Sequence, residues 1–406
     1  MKNNNDFEIS EVLSSRVLKL EESPTFALEQ KADKIDADLK KDGNYVVRFG
    51  IGQPDFNTPQ NIKDAAKKAI DENKTKYTAS TGIRVLKEAI VQKLKRDNGL
   101  DYSVENIFTG NGGKQVLDVI MRAFLNPGDV AIVPKPYWVS YPQQVILSEG
   151  IPVETDFNKY LKIDVSHLKS IVNKYTGKIK LLILNSPNNP TGAVYNREEL
   201  EAIGNICLKN GIFIISDEVY EKFIFGNLKH HSIAGFSSEL KKITLTVNAV
   251  SKTYAMTGWR IGYIAAERQI ISQITKIQDQ STSNPCTPAQ WAAVEALTGN
   301  QDSVEIMRKE YEKRRDYIYD RLNRIKGINC PMPEGAFYAF PEVSFYYSGS
   351  IKNSFDFSNR LLEEAFVAVV PGAPFGDDRS VRISYATSMD KIEEGMNRIE
   401  KFCRNR

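Results

Sequence analysis

The stretch LLILNSPNNPTGAVYNREELEAIGNICLKNGIFIISDEVY (181–220) passes from one apolar run to another through a helix-patterned segment. LLILN (181–185) and IFIIS (212–216) are apolar almost throughout, as strands buried on both faces are. REELEAIGNICLKN (197–210) lies between them and reads as a helix. A strand that reaches its neighbour through a helix returns parallel to itself. The stretch therefore predicts a mostly parallel α/β sheet with helices on both faces. VAIVP (130–134) and TLTVN (244–248) read as further buried strands, and Gly113 to Phe124 as a covering helix. TPQNIKDAAKKAIDE (58–72) adds a helix with Thr58 expected as its N-cap and Pro59 in its first turn.

The last third changes character. VEIMRKEYEKRRDYIYDRLNRI (304–325) is a long, charged, amphipathic helix, followed by the short strand-like runs GAFYAF (335–340), AFVAVVPG (365–372) and SVRISYAT (380–387). A chain of 406 residues exceeds what one core usually serves. We expect a large domain over 50–295, a smaller α+β domain over 15–49 and 296–406, and an N-terminal extension over 1–14.

Composition narrows the partners. Apolar residues make up 41%, charged residues 26%, and the net charge is +3. That balance lacks the basic footprint of a nucleic-acid binder. No apolar run approaches the roughly 18 residues of a membrane span. MKNNNDFEISEVLSSRV (1–17) is polar and acidic where a signal peptide is apolar, so a cytoplasmic protein is expected. The four cysteines show no CxxC spacing, two of the three histidines are adjacent (His230, His231), and HExxH does not occur. No metal site is expected.

Ligands of open α/β sheets sit beyond the carboxyl ends of the strands. Four such ends are chemically unusual. TGNGGKQ (109–115) places two glycines before a helix, which suits a phosphate cradle at Gly112, Gly113 and Lys114 and also suits an ordinary tight turn. NSPNNPTG (185–192) is a loop of turn formers whose Asn189 offers a neutral amide donor. SDEVY (216–220) puts Asp217 at the end of a buried strand, where a carboxylate needs a partner, with Tyr220 one turn on. SKTYAMTGWRIG (251–262) follows the run TLTVNAV. A lysine desolvated there has a lowered pKa and attacks carbonyls. Ser251 and Arg260 add a hydroxyl and a cation suited to a phosphate, and Gly258 is expected to let the backbone pass close by.

One ligand answers all four ends. It carries an aldehyde for Lys252, a ring nitrogen for Asp217, a phenolic oxygen for Asn189 and Tyr220, and a phosphate for Arg260, Ser251 and the Gly113–Lys114 amides. Pyridoxal 5′-phosphate has these groups.

From about residue 16 to the C-terminus the chain resembles the class I aminotransferases of pyridoxal-phosphate fold type I. GQPDFNTP, KYTASTGI, GGKQ, PYWVSYP, NSPNNPTGAVY, SDEVY, SKTYAMTGWRIGY, GAFYAF and VRISYATS occur in the family's order. Within the family it most resembles the bacterial and plant-type aspartate aminotransferases. The resemblance implies a mostly parallel seven-stranded sheet in the large domain. It implies Lys252 as the residue joined to the cofactor, Asp217 at the ring nitrogen, Tyr220 and Asn189 at the phenolic oxygen, and Trp138 stacked on the ring. It further implies that Tyr77 reaches the cofactor phosphate of a second subunit, so that a homodimer shares its sites. Arg382 would take the substrate α-carboxylate, Gly52 would let the backbone approach the substrate, and Lys114 would help hold a distal carboxylate. The implied reaction moves the amino group of L-aspartate to 2-oxoglutarate by a ping-pong route. Aromatic, alanine or prephenate specificity is the alternative. Relatives that use prephenate carry a basic residue in the N-terminal arm where this chain has Glu21, which argues against that activity, whereas Thr25 matches them.

Overall fold

The computed structural model describes residues 9–22 and 24–406. Seven strands form the main sheet: β1 (Ile107–Gly110), β2 (Val130–Pro134), β3 (Ile151–Thr155), β4 (Ile179–Asn185), β5 (Phe213–Asp217), β6 (Thr244–Ala249) and β7 (Gly262–Ala265). Their order across the sheet is β1-β7-β6-β5-β4-β2-β3. Only β7 runs against its neighbours; the other pairings are parallel.

Period-two alternation explains how the apolar runs serve two layers. Leu181, Ile183, Ile215, Leu245 and Val247 face one side and pack with Val116, Leu117 and Ile120 of the helix Gly113–Phe124. Leu182, Leu184 and Ile214 face the other, against Leu200, Ile203 and Cys207 of the helix Arg197–Asn210. That second helix starts at a reciprocal cap: Asn196 Oδ1 accepts from the Glu199 amide, and the Glu199 carboxylate accepts from the Asn196 amide.

GIPVETD contains a strand that was not expected. β3 is an edge strand with mixed exposure, and its Pro152 lacks the N–H that a central strand would need. Thr58 does not cap a helix. The helix is Gln60–Asp71, without a side-chain cap. The Thr58 hydroxyl instead donates to Ala255 O at 2.7 Å and accepts from Trp259 Nε1 at 3.0 Å, tying the 58–72 region to the segment after β6.

Beyond the sheet come the helix Asp302–Asn323, the short strands Tyr338–Ala339, Val367–Ala368, Val370–Pro371 and Val381–Ser384, and the helices Ser354–Ala365 and Met389–Arg404. Val47–Arg48 pairs in parallel with Val367–Ala368. Val47 and Phe49 share a buried cluster with Phe337, Val381, Ile383, Ile399 and Phe402. Tyr220 and Phe223 enter the same cluster from the end of β5. Among the described residues no helix is long and apolar enough to cross a membrane.

β7 and the loop after β1 approach each other closely through their backbones. A Cβ on Gly262 would stand 2.6 Å from the Gly112 carbonyl carbon and 2.7 Å from the Gly113 nitrogen. Gly258 meets nothing within 4 Å, so the close passage expected there belongs to Gly262. Gly262→Ala is expected to cost about 1–3 kcal/mol of stability, because backbone on both sides cannot yield as a side chain would. Equilibrium denaturant unfolding measures it.

Candidate active site

The carboxyl ends of β4, β5 and β6 lie side by side, with Asn185 paired to Asp217 and Asp217 to Val247. Beyond them opens a cavity of about 370 Å³. It gathers Gly52, Gly113, Lys114, Trp138, Asn189, Asp217, Tyr220, Ser251, Lys252, Arg260 and Arg382. Of the residues expected at the site, Tyr77 and Gly112 do not line it.

Lys252 sits in the short helix Val250–Thr253 that ends β6, and its Nζ donates to the Gly52 carbonyl. Burial, with the charges of Arg382 and Arg260 adding to it, lowers its pKa to about 7; Asp217 opposes the shift. The Asp217 carboxyl is buried and accepts from the Tyr141 hydroxyl at 2.7 Å and the Val219 amide at 3.3 Å. Burial nonetheless raises its pKa to about 6. A protonated ring nitrogen beside it would restore the missing counter-charge.

Arg382 is 3% exposed. Its Nη2 donates to Gly50 O at 2.7 Å and its Nη1 to Asn189 Oδ1 at 3.1 Å. The Tyr338 and Phe375 rings lie against the guanidinium at 4.7 and 5.1 Å. Among the described residues its buried Nε has no hydrogen-bond partner. With its carbonyl taken by Arg382, Asn189 keeps its NH₂ group as the donor available to the cavity.

Arg260 adopts φ 58° and donates to Thr257 O at 3.0 Å and Asn111 O at 3.3 Å. Its guanidinium lies against Gly112, where a Cβ would come within 2.5 Å of Nη2. It therefore borders the first turn of the helix Gly113–Phe124, whose free N–H groups favour an anion. Trp138 packs edge-on against Tyr141, with centroids 5.4 Å apart, and Lys114 Nζ stands 5.1 Å from the Trp138 ring centre.

Charge is the clearest property of the site. Among the described residues Lys114, Lys252, Arg260 and Arg382 make no ion pair, although all four line one cavity. The carboxylates there are Asp217 and Glu29, and Glu29 is already paired with Arg48 at 2.8 Å. Such a cavity calls for a ligand with several negative groups. The residues present fit pyridoxal phosphate: an amine of low pKa for the aldehyde, a buried carboxylate for the ring nitrogen, two neutral donors for the phenolic oxygen, and helix amides with Ser251 and Arg260 for the phosphate.

Among the cavity residues outside the expected set, Tyr141 and Asn185 hydrogen-bond to Asp217, Asn185 also to Asn189, and Tyr338 to Tyr220. Tyr141 stands three positions after Trp138, and that spacing within PYWVSYP was a usable signal. Tyr338 reaches the site from the distant GAFYAF run, where nothing local marks it. The structure also gives Gly52 its own reason. A Cβ there would meet the Tyr338 hydroxyl at 2.7 Å, so a neighbouring side chain demands the glycine whatever the substrate does.

Tyr77 is 91% exposed. Its loop is held from beneath: Gln290 accepts from the Ile83 amide at 2.7 Å and donates to Thr78 Oγ1 at 3.2 Å. Gln278 donates to Ser80 O and to Thr109 O. Glu21 is exposed and does not line the cavity; its amide donates to Gln143 Oε1 at 3.1 Å. The Thr25 side chain lies outside the described residues. Glu218, Glu221 and His230 bring potential ligand atoms within 4.8 Å of one another behind Asp217. Their oxygens are already engaged by Lys93, Asn98, Ser216, Ser232 and Asn248, as in a buried polar core.

The family described as aminotransferase class I and II matches residues 44–399. An aspartate aminotransferase of Bacillus sp. (strain YM-2) is 48% identical over 402 residues, covering 98% of this chain and 100% of that one. A probable aspartate/prephenate aminotransferase of Aquifex aeolicus is 46% identical, covering 96% and 98%. The crystal structure of the aspartate aminotransferase from Rhizobium meliloti superposes with a TM-score of 0.91 at 38% identity, covering 97% and 98%.

The lowered pKa of Lys252 has a consequence for stability. In the unfolded chain the amine keeps its ordinary value of 10.5. Burial of the ammonium therefore costs most below pH 7, and the cost fades as pH rises from 7 to 10.5. Cofactor-free Lys252→Met is expected to melt above cofactor-free wild type at pH 6–7, with the gap closing towards pH 10. Thermal unfolding across that range measures it.

Proposed function

Since the chain belongs to the class I and II aminotransferase family, whose members work with pyridoxal 5′-phosphate, we propose that it moves the amino group of L-aspartate to 2-oxoglutarate, giving oxaloacetate and L-glutamate. The observation that carries this reading is the pair of unpaired cations on separate parts of one cavity wall: Arg382, buried between two rings, and Lys114, over Trp138. A dicarboxylic substrate uses both. The names of the relatives point the same way.

In this reading Arg382 takes the α-carboxylate through its forked N–H groups. Asp217 holds a proton at the ring nitrogen of the cofactor, and Tyr220 and Asn189 donate to its phenolic oxygen. Pyridoxal phosphate, when bound, supplies an electron sink that acidifies the substrate Cα. Lys252 Nζ, neutral in good part at pH 7, removes the α-proton. The same residues then serve the second 2-oxo acid in the reverse direction.

The exposed Tyr77, on a loop held by buried glutamines, supports a homodimer in which it reaches the partner's phosphate site. We read residues 50–295 as the cofactor-binding domain, 15–49 with 296–406 as the smaller one, and the protein as cytoplasmic. Glu21 places an acid where the prephenate-using relatives are basic, which favours aspartate over prephenate.

Two measurements test the reading. Purified protein is expected to absorb in the visible, and Lys252→Ala to lose both that band and turnover; a protein that stays colourless with added pyridoxal phosphate overturns it. Lys114→Ala is expected to lower kcat/KM for aspartate by about 10-fold or more, as for a lost charged hydrogen bond, while alanine and tyrosine are little affected. Equal losses for all three substrates would remove the distal-carboxylate role.

A further inference from the structure

The Tyr338 hydroxyl lies at the meeting point of three elements of the site. It is 2.8 Å from the Tyr220 hydroxyl. It fills the space where a Gly52 side chain would begin, and the Gly52 carbonyl accepts from Lys252 Nζ. The Tyr338 ring lies under the Arg382 guanidinium at 4.7 Å. Tyr338 is 1% exposed, and Tyr220 and Phe337 pack edge-on and tilted against it at 5.7 and 4.8 Å. Its hydroxyl therefore has little freedom to leave Tyr220.

We propose that Tyr338 is a positioning residue with two separable parts, a hydroxyl that strengthens Tyr220 as a hydrogen-bond donor and a ring that orients Arg382 for the substrate carboxylate. The inference rests on the pyridoxal-phosphate reading above.

The hydroxyl part follows from donor accounting. Either phenol can donate to the other in the structure. A phenolate oxygen of the cofactor is the stronger acceptor, so the Tyr220 proton turns to it. Tyr338 is then left as donor to the Tyr220 oxygen. A hydroxyl that receives such a bond polarises its own O–H further, so the two bonds strengthen each other. The charged groups facing this pair are Asp217, Lys252 and Arg382, with Tyr311 the further titratable neighbour. None of them replaces a lost Tyr338 hydroxyl, because Lys252 Nζ is engaged by Gly52 O and Arg382 by Gly50 and Asn189.

The ring part follows from Arg382. Its two Nη groups are fixed by the Gly50 and Asn189 oxygens, and its central carbon lies over the Tyr338 and Phe375 rings. Removing the Tyr338 ring takes away one of these two contacts and its cation–π attraction.

The test is a spectral titration of the visible band in holoenzyme, with steady-state kinetics alongside. Tyr338→Phe keeps the ring and removes the hydroxyl. The pH midpoint of the band is expected to rise by about half to one pH unit, because one hydrogen bond to the deprotonated form is weakened, with KM for aspartate little changed. Tyr338→Leu is expected to raise KM for aspartate about five- to tenfold as well, through Arg382. Gly52→Ala pushes the hydroxyl off Tyr220, so its midpoint shift and that of Tyr338→Phe are expected to overlap, not add, in the double variant. A Tyr338→Phe midpoint equal to or below that of wild type overturns the hydroxyl role. A Tyr338→Leu enzyme with unchanged KM overturns the ring role. Additive shifts in the double variant overturn the link through Gly52. A wild type with no visible band overturns the cofactor reading, and this inference with it.

Discussion

Four cations lining one cavity, none with a carboxylate partner among the described residues, are the constraint around which the site is built. Lys114, Lys252, Arg260 and Arg382 repel one another; water screens the exposed Lys114 and Arg260, whereas Lys252 and Arg382 are held where it screens them little. Each is managed differently. Lys252 lowers its pKa and shares its charge with the Gly52 carbonyl. Arg382 is clamped between backbone and side-chain oxygens and two aromatic faces. Arg260 bonds to two backbone carbonyls while lying on a glycine. Lys114 stays at the mouth over an indole. An unliganded cavity of this kind stores unfavourable electrostatics, and a ligand with a phosphate and carboxylates relieves them. Binding and catalysis thus draw on the same imbalance.

That arrangement needs a rigid frame, and the sheet supplies it. The parallel strands β4, β5 and β6 deliver Asn185, Asp217 and the Lys252 turn to the same edge. Behind them Glu218 and Glu221 are bound to Lys93, Asn98, Asn248, Ser216 and Ser232, so the residues flanking Asp217 and Tyr220 are fixed from the side away from the ligand. The antiparallel β7 brings Gly262 against Gly112 and so sets the loop after β1 against the Arg260 turn.

Much of this was legible along the chain. Buried strands appear as apolar runs because both faces are covered, so β2, β4, β5 and β6 stand out. Lys252, Asp217, Asn189 and Gly113 follow directly after such runs or open the next helix, and their position was itself the signal. β3 was not legible, because an edge strand with mixed exposure has no such run. Thr58 misled because a threonine before Pro-Gln is a fair cap by local rules, yet its hydroxyl is claimed by Ala255 and Trp259, nearly two hundred residues away in sequence. The close passage was placed on Gly258, whereas the contact that requires glycine depends on which strand lies beside Gly262.

The sequence alone therefore determined the α/β class, the strand ends that line the cavity and the kind of cofactor they suit, because each depends on local periodicity and on residues adjacent to a strand. Tertiary structure decided the rest. Tyr338 meets Tyr220 and Gly52, Tyr141 meets Asp217, and Arg382 meets Gly50 and Asn189 only after the C-terminal strands have packed against the sheet. Those contacts join residues far apart along the chain, and hydrogen-bond geometry and desolvation exist only once the elements are in place.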